Sequence, residues 1–248
     1  MPATPPAPAL TCVSWNVHRG RGNDGVVDPG RCVDVLLAEV WPPGAEVLIL
    51  QEADAETPPH AGLLDVARIA AETGLRHVHV TPATRWSAES HGFLGVVMFL
   101  HPGLRVEDVA LVDLPGRCHR GAVVVDARRA GAPLRLIGTH LSLAQPLRIA
   151  QMRTLGQHLA RRRARPTVLA GDLNEWRPWG GLALSRRVLG ARFDGPARAT
   201  FPVARPVLPL DRVLACGPAR VVAARVPDGP GIRMASDHRP LVAEVSLD

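Results

Sequence analysis

Five short stretches of this chain carry the residue types needed to break a phosphoester. They are Ser14-Trp15-Asn16, Leu50-Gln51-Glu52, Gly138-Thr139-His140-Leu141, Gly171-Asp172-Leu173-Asn174 and Ser236-Asp237-His238-Arg239. Each sets a carboxylate, imidazole or amide beside a short apolar run, and a rigid strand end is where such groups can converge on one ion and one phosphate. Hydrolysis of a phosphoester needs a cation to neutralise developing charge, a base to activate water, and donors for the oxygens of the trigonal-bipyramidal transition state.

Glu52 follows Val47-Leu48-Ile49-Leu50 and offers hard oxygens suited to magnesium. A solvated strand-end charge is its plainer reading. Asn16 suits the same ion or a phosphate oxygen, and by itself equally suits a turn. Asp237 and His238 are adjacent before a strand, so they point to different sides and can serve metal and water separately.

Strands must hold these groups in place, and the rest of the chain fits around them. Residues 10–15, 46–51, 94–100, 106–112, 121–127, 134–139, 167–170, 210–215, 219–225 and 240–246 read as strands from their apolar and β-branched runs between Gly and Pro turns. Residues 30–40, 61–73 and about 145–163 read as helices. Asp28-Pro29 supplies a cap and a first-turn proline to the first, and Ile149, Met152, Leu155 and Leu159 give the last one apolar face. Strands outnumber helices, which favours two sheets packed face to face with helices outside. One continuous domain over 10–248, after a flexible proline-rich segment 1–9, is the expected organisation.

The chain has 248 residues, 46% of them hydrophobic, enough to bury a large core. No run is long enough to span a bilayer and no signal peptide is apparent, so a cytoplasmic protein is expected. Cys12, Cys32, Cys118 and Cys216 lack metal-knuckle spacing and read as free thiols. A net charge of +6 would suggest an anionic partner, but every basic residue is arginine, tyrosine is absent, and asparagine occurs only at 16, 23 and 174. These absences fall on amino acids with AT-rich codons, so a GC-rich genome accounts for much of the arginine excess. Two of the three asparagines nonetheless lie in the motifs above.

The ordered set Trp15-Asn16, Gln51-Glu52, Thr139-His140, Gly171-Asp172-Leu173-Asn174, Leu210-Asp211 and Ser236-Asp237-His238 resembles the endonuclease/exonuclease/phosphatase superfamily over nearly the whole chain. That resemblance implies a four-layer α/β sandwich, two mixed β-sheets flanked by helices, with the site at one edge of the paired sheets. It implies His238 as general base or charge partner oriented by Asp211, and Glu52, Asn16 and Asp237 as ligands of Mg2+, with Mn2+ an acceptable substitute. Asn174 and His140 become donors to phosphate oxygens, and Asp172 positions water or protonates the leaving group. Related nucleases place a tyrosine on the phosphate; this chain has none, and Arg120, before a strand, is the replacement candidate because a guanidinium binds phosphate bidentately.

Other features have plainer readings. Arg161, Arg162, Arg163 and Arg165 close a helix, where cations complement its dipole. Trp176 and Trp179 suit either a wall for a base, sugar or lipid headgroup or the packing of their own loop. The segment from Gly20 to Gly25 lacks the lysine of a phosphate loop and reads as a mobile rim. Three functions compete: a phosphodiesterase or nuclease, a hydrolase of a small-molecule or lipid phosphoester, and a silent binding protein that kept the fold. The partner in the first two is a phosphate-containing substrate, nucleic acid included. No protein partner is indicated.

Overall fold

The most apolar runs of the sequence become neighbouring strands in the centres of two sheets. The computed structural model describes residues 9–247, so the expected flexible segment falls, but for Ala9, outside the described residues. In chain order the elements are β1 (Leu10–Asn16), α1 (Pro29–Val35), β2 (Val47–Gln51), α2 (Val66–Thr73), β3 (Arg76–His77), β4 (Val97–Leu100), β5 (Leu104–Leu114) and β6 (Arg120–Arg129). They continue as β7 (Ala132–His140), α3 (Gln145–Ala160), β8 (Thr167–Asp172), α4 (Arg186–Leu189), β9 (Asp211–Cys216), β10 (Arg220–Arg225), α5 (Pro230–Ala235) and β11 (Leu241–Ser246).

Six strands run β10-β11-β1-β2-β4-β3 and five run β5-β6-β7-β8-β9. Only β1 with β2 and β7 with β8 are parallel, so both sheets are mixed. Period-two alternation sorts the side chains between layers. Val47, Ile49, Met98, Val123, Val125, Leu136, Val168 and Val213 meet between the sheets. Leu48, Leu50, Phe99 and Trp15 face α1, α2 and α5 through Val33, Ile69 and Ile232. Val124, Ile137 and Leu169 face α3 and α4 through Met152, Leu155 and Val188. Three apolar interfaces therefore separate four layers, the sandwich expected from the sequence.

Register brings the motif residues to one end. In the parallel pairs Asn16 stands opposite Gln51 and His140 opposite Asp172, so four strand ends coincide. The antiparallel strands start where these stop: Asp172 pairs with Asp211, and Leu241, just after His238, pairs with Ser14.

Gly171 is required by this convergence. Its φ is +146°, and a Cβ there would lie 1.8 Å from the Thr139 carbonyl oxygen. Gly171→Ala is accordingly expected to destabilise the protein by roughly 3 kcal/mol or more, read as a lowered urea midpoint or melting temperature. A stability unchanged from wild type would show that the two strand ends are not held this tightly.

Some expected boundaries move, for local reasons. The helix expected over 61–73 begins only at Val66, because Asp65 caps it through the Arg68 N–H, while Leu63 N–H donates to the Ala53 carbonyl instead. The strand expected from residue 94 begins at Val97, because Leu94 and Gly95 form a turn with φ of 52° and 84°. The 20–25 rim is a tethered turn rather than a loose loop. Arg31 bonds both oxygens of Asp24, and Asn23 N–H donates to the Met234 carbonyl. No helix among the described residues is long and apolar enough to cross a membrane.

Candidate active site

Asp172, at the end of β8, is the focus of the site. Its Oδ2 accepts from Asn16 Nδ2 at 3.0 Å, while His140 Nε2 and His238 Nε2 lie 3.4 and 3.7 Å away. Its Oδ1 accepts the Asn174 N–H at 2.9 Å, which folds the strand end back so that Asn174 sits at φ 50°. Glu52 adopts a similar left-handed conformation, φ 55°, just past β2. Side chains pay a steric cost in that region, and its recurrence at two converging strand ends marks a place where direction of presentation overrides local preference.

His238 joins the cluster from the opposite side. Its Nδ1 lies 2.8 Å from Asp211 Oδ2, across 27 residues of sequence, so the expected pair is formed. Thr200 Oγ1 donates to the same carboxylate oxygen at 2.5 Å. The backbone around His238 is clamped by Trp15 Nε1, which donates to the His238 carbonyl, and by Ser236 Oγ, which donates to the Asn16 carbonyl. Phe201 packs on the imidazole at 4.9 Å between centroids.

Burial and charge set the protonation states. Burial opposes the charged form of His238, but the Asp211 carboxylate, then Asp172 and Asp237, outweigh it and push the imidazole up to about 10. Burial and the neighbouring Asp211 charge push Asp172 up to about 6, against the pull of His238 and the Asn16 amide. At neutral pH the two therefore face each other as imidazolium and carboxylate.

His140 behaves oppositely: burial, then the Arg120 charge, holds it well below the usual imidazole range. Arg120 Nη1 donates to His140 Nδ1 at 2.8 Å, and because arginine has no lone pair to accept with, the His140 proton resides on Nε2, facing Asp172. Asn174 Nδ2 donates to the Leu141 carbonyl at 2.8 Å and lies 3.3 Å from His140 Nε2.

Glu52 is grouped with Asn16 and Arg19. Arg19 Nη1 donates to Glu52 Oε2 at 2.5 Å, and Asn16 Nδ2 approaches Oε1 at 3.5 Å. Asn16 Oδ1 accepts the His18 N–H and keeps a second lone pair, while its Nδ2 faces both carboxylates. Asp237 Oδ1 lies 3.4 Å from His18 Nδ1, whose hydrogen-bond partner is the Arg21 carbonyl.

The donor set fits a hard divalent cation. Glu52, Asp172 and Asp211 bring carboxylates to one end of the sandwich, and Asp211 Oδ1 and Asp237 Oδ1 are buried without a hydrogen-bond donor. Such oxygens are costly unless something positive meets them. Asp172, Asp211 and His238 also place ligand-type atoms within 4.8 Å of one another, and with His238 protonated the two carboxylates are the lone-pair donors of that group.

Arg120 is half-buried and burial lowers its pKa, yet a guanidinium stays charged at neutral pH, which leaves a cation beside the site with no carboxylate in hydrogen-bond contact among the described residues. Arg120→Ala is expected to raise KM for an activated phosphodiester about tenfold or more while changing kcat less, since a bidentate charge-assisted contact to substrate is lost. An unchanged KM would remove Arg120 from the substrate contacts.

Three groups escaped the reading of motifs. Arg19 lies only three residues beyond Asn16, in a segment whose glycines drew attention to the loop instead. Glu175, directly after Asn174, is fully buried between Arg148 at 3.6 Å and Arg177 at 2.7 Å. Arg212, next to Asp211, donates to the carbonyls of Pro209, Glu175 and Arg177 and fixes the loop after Asn174. A buried arginine bonded to carbonyls leaves no periodic trace in sequence. The Arg161–Arg165 cluster is partly committed to structure: Arg162 pairs with Asp108 and Asp126, and Arg165 with Glu107.

The chain resembles known proteins in sequence and in fold. The model of the Endonuclease/Exonuclease/phosphatase family matches residues 13–238. No curated protein matches the chain. Among solved structures, an endonuclease/exonuclease/phosphatase from Beutenbergia cavernae DSM 12333 is 23% identical with a TM-score of 0.65, over 97% of this chain and 72% of that one. A Bacteroides vulgatus endonuclease/exonuclease/phosphatase is 14% identical with a TM-score of 0.71, over 98% and 100%. D. rerio TDP2, solved in complex with a single-strand DNA product, is 15% identical with a TM-score of 0.63, over 95% and 98%.

Proposed function

Because this chain belongs to the endonuclease/exonuclease/phosphatase family and is thereby a phosphoester hydrolase, we propose that it cleaves phosphodiesters with the help of a divalent cation, Mg2+ first and Mn2+ as a substitute. The single observation that carries the reading is the Asp211–His238–Asp172 chain of contacts, 2.8 and 3.7 Å long, at the meeting point of four strand ends.

In this reading Arg120, Asn174 and the Nε2–H of His140 bind the non-bridging oxygens of the scissile phosphate. Asp172, ionised above about pH 6, takes a proton from the attacking water as its oxygen bonds to phosphorus and the ester oxygen departs. His238, kept protonated by Asp211, faces the charge that develops on the phosphoryl group. Glu52 would hold the cation, with Asn16 and Asp237 as its further candidate ligands. When bound, the cation supplies Lewis-acid neutralisation of the phosphate.

A second substrate reading, a lipid headgroup or other small phosphoester, is favoured by the rim. Trp176 and Trp179 follow Asn174 closely and are 52% and 76% exposed, while Leu143, just beyond His140, is 79% exposed. The surface arginines at 162 and 165 are ion-paired, which weakens the case for a basic stripe along a nucleic-acid backbone. A binding protein without activity is disfavoured, because the unused site would bury charge at a cost with no return.

The deciding experiment is a panel of bis(p-nitrophenyl) phosphate, p-nitrophenyl phosphate, single-stranded DNA and a choline-headgroup phospholipid, each with Mg2+ and Mn2+. Turnover of the diester above the monoester supports the proposal. Turnover of none of the four under either metal would overturn it.

A further inference from the structure

A cavity of about 250 Å³ opens beside Glu52, and Arg120 joins it to the catalytic cluster, since this residue lines the cavity while its Nη1 donates to His140 Nδ1. Arg19 and Arg117 line it too, and three carboxylates, Glu52, Asp54 and Glu56, stand against the three guanidiniums. The charges do not pair evenly. Asp54 turns its oxygens to the backbone N–H groups of His91, Gly92 and Gly95, while Glu52 and Glu56 both approach Arg19. Arg117 and Arg120 are left without a carboxylate in salt-bridge contact among the described residues. A guanidinium stays charged at neutral pH, so the cavity offers two positive charges to a ligand.

The donors around it are those an oxyanion uses. A guanidinium carries five N–H groups in a flat fork, so Arg120 can keep His140 with one and hold oxygens with others; its Nε is buried and has no partner. His60 Nδ1 lies 2.9 Å from the Ala55 carbonyl, which only accepts, so His60 Nε2 carries the lone pair and accepts from His119 Nδ1 at 3.5 Å. That contact steadies the His119 ring in the cavity wall, with Trp86 packed 5.7 Å away between centroids. Two unpaired guanidiniums match the nearly two charges of a phosphomonoester, whose three terminal oxygens can accept from both forks at once. A carboxylate brings one charge and two oxygens, and leaves one arginine unmatched.

We infer that this cavity binds a second phosphate of the substrate, a phosphomonoester carried beside the scissile diester and gripped by Arg117 and Arg120. The inference rests on the phosphodiesterase reading above and narrows its substrate class to diesters bearing an additional phosphate, on a nucleoside or on a polyol headgroup.

The test is calorimetric titration of the full-length protein, in Mg2+ and enough salt to screen long-range attraction, with two pairs of ligands. One pair is thymidine 3′,5′-bisphosphate against thymidine 5′-monophosphate, and the other is inositol 1,4-bisphosphate against inositol 1-monophosphate. The bisphosphate of at least one pair should bind about tenfold or more tighter than its monophosphate, and the pair that shows the gain identifies the carrier. In Arg117→Ala, which alters an exposed turn residue, that ratio should fall to near one. Arg161→Ala removes the same charge from an exposed helix end outside the cavity lining and should keep the ratio. Equal affinities within both pairs, a ratio that survives Arg117→Ala, or one lost equally in Arg161→Ala would each overturn the inference. Binding is read here without turnover, so a protein inert toward every diester would refute the phosphodiesterase reading by a separate measurement.

Discussion

His238→Ala is expected to lower kcat on an activated phosphodiester by a factor on the order of 10²–10⁴ with the protein still folded. The size follows from what His238 touches. It links Asp211, at 2.8 Å, to Asp172, at 3.7 Å, and its positive charge is kept by carboxylates on both sides. Asp211→Asn should also cost a large factor, because an amide at that position stabilises imidazolium poorly. Combining the two should cost far less than the product of the single losses, since groups acting as one unit are not additive. The measurement is the double-mutant cycle in kcat, beside circular dichroism of each variant. Multiplicative losses would mean that Asp211 and His238 act separately.

Asp172→Asn should abolish turnover to a similar degree, and it should also change the pH profile. A carboxyl raised to about 6 is ionised only above that value, so wild-type kcat/KM should fall as pH drops through this region. On the alkaline side activity should persist well beyond the ordinary imidazole range, because His238 is raised to about 10 and loses its proton late. The asparagine variant should be slow at every pH and lack the acidic limb. Had His238 been the neutral base with an ordinary imidazole pKa, the acidic limb would survive in Asp172→Asn, and that outcome would reassign the proton acceptor.

Much of the fold was legible because its strands are apolar runs bounded by Gly and Pro, and because the motif residues stand at their ends. The chain order of Asn16, Glu52, His140, Asp172, Asp211 and His238 carried the resemblance, and register then brought Asn16 opposite Gln51 and His140 opposite Asp172. What sequence did not disclose were contacts made through direction rather than type. Nothing in the spacing shows that Asn16 accepts the His18 N–H, that Arg19 turns back onto Glu52, or that Asp237 lies beside His18. The protonation of His238 was hidden for a related reason. Both possible roles, base and charge partner, use the same residue, and only the burial of His238 between two carboxylates separates them. The start of α2 was misplaced because, within residues 61–65, the Leu63 N–H donates to the Ala53 carbonyl and the Gly62 N–H to that of Glu89, outside any helix.

The central claim is that this cluster of carboxylates works with a divalent cation to hydrolyse a phosphodiester. Glu52, Asp172 and Asp211 are all buried or nearly so at one strand-end junction, a concentration of negative charge that calls for a counter-cation. The most direct test is the initial rate of bis(p-nitrophenyl) phosphate hydrolysis by the wild type before exhaustive chelation, after it, and after Mg2+ is restored. The account predicts that chelation removes nearly all of the rate and that Mg2+ returns it in wild type but not in Glu52→Gln. A full rate in the chelated protein would contradict it.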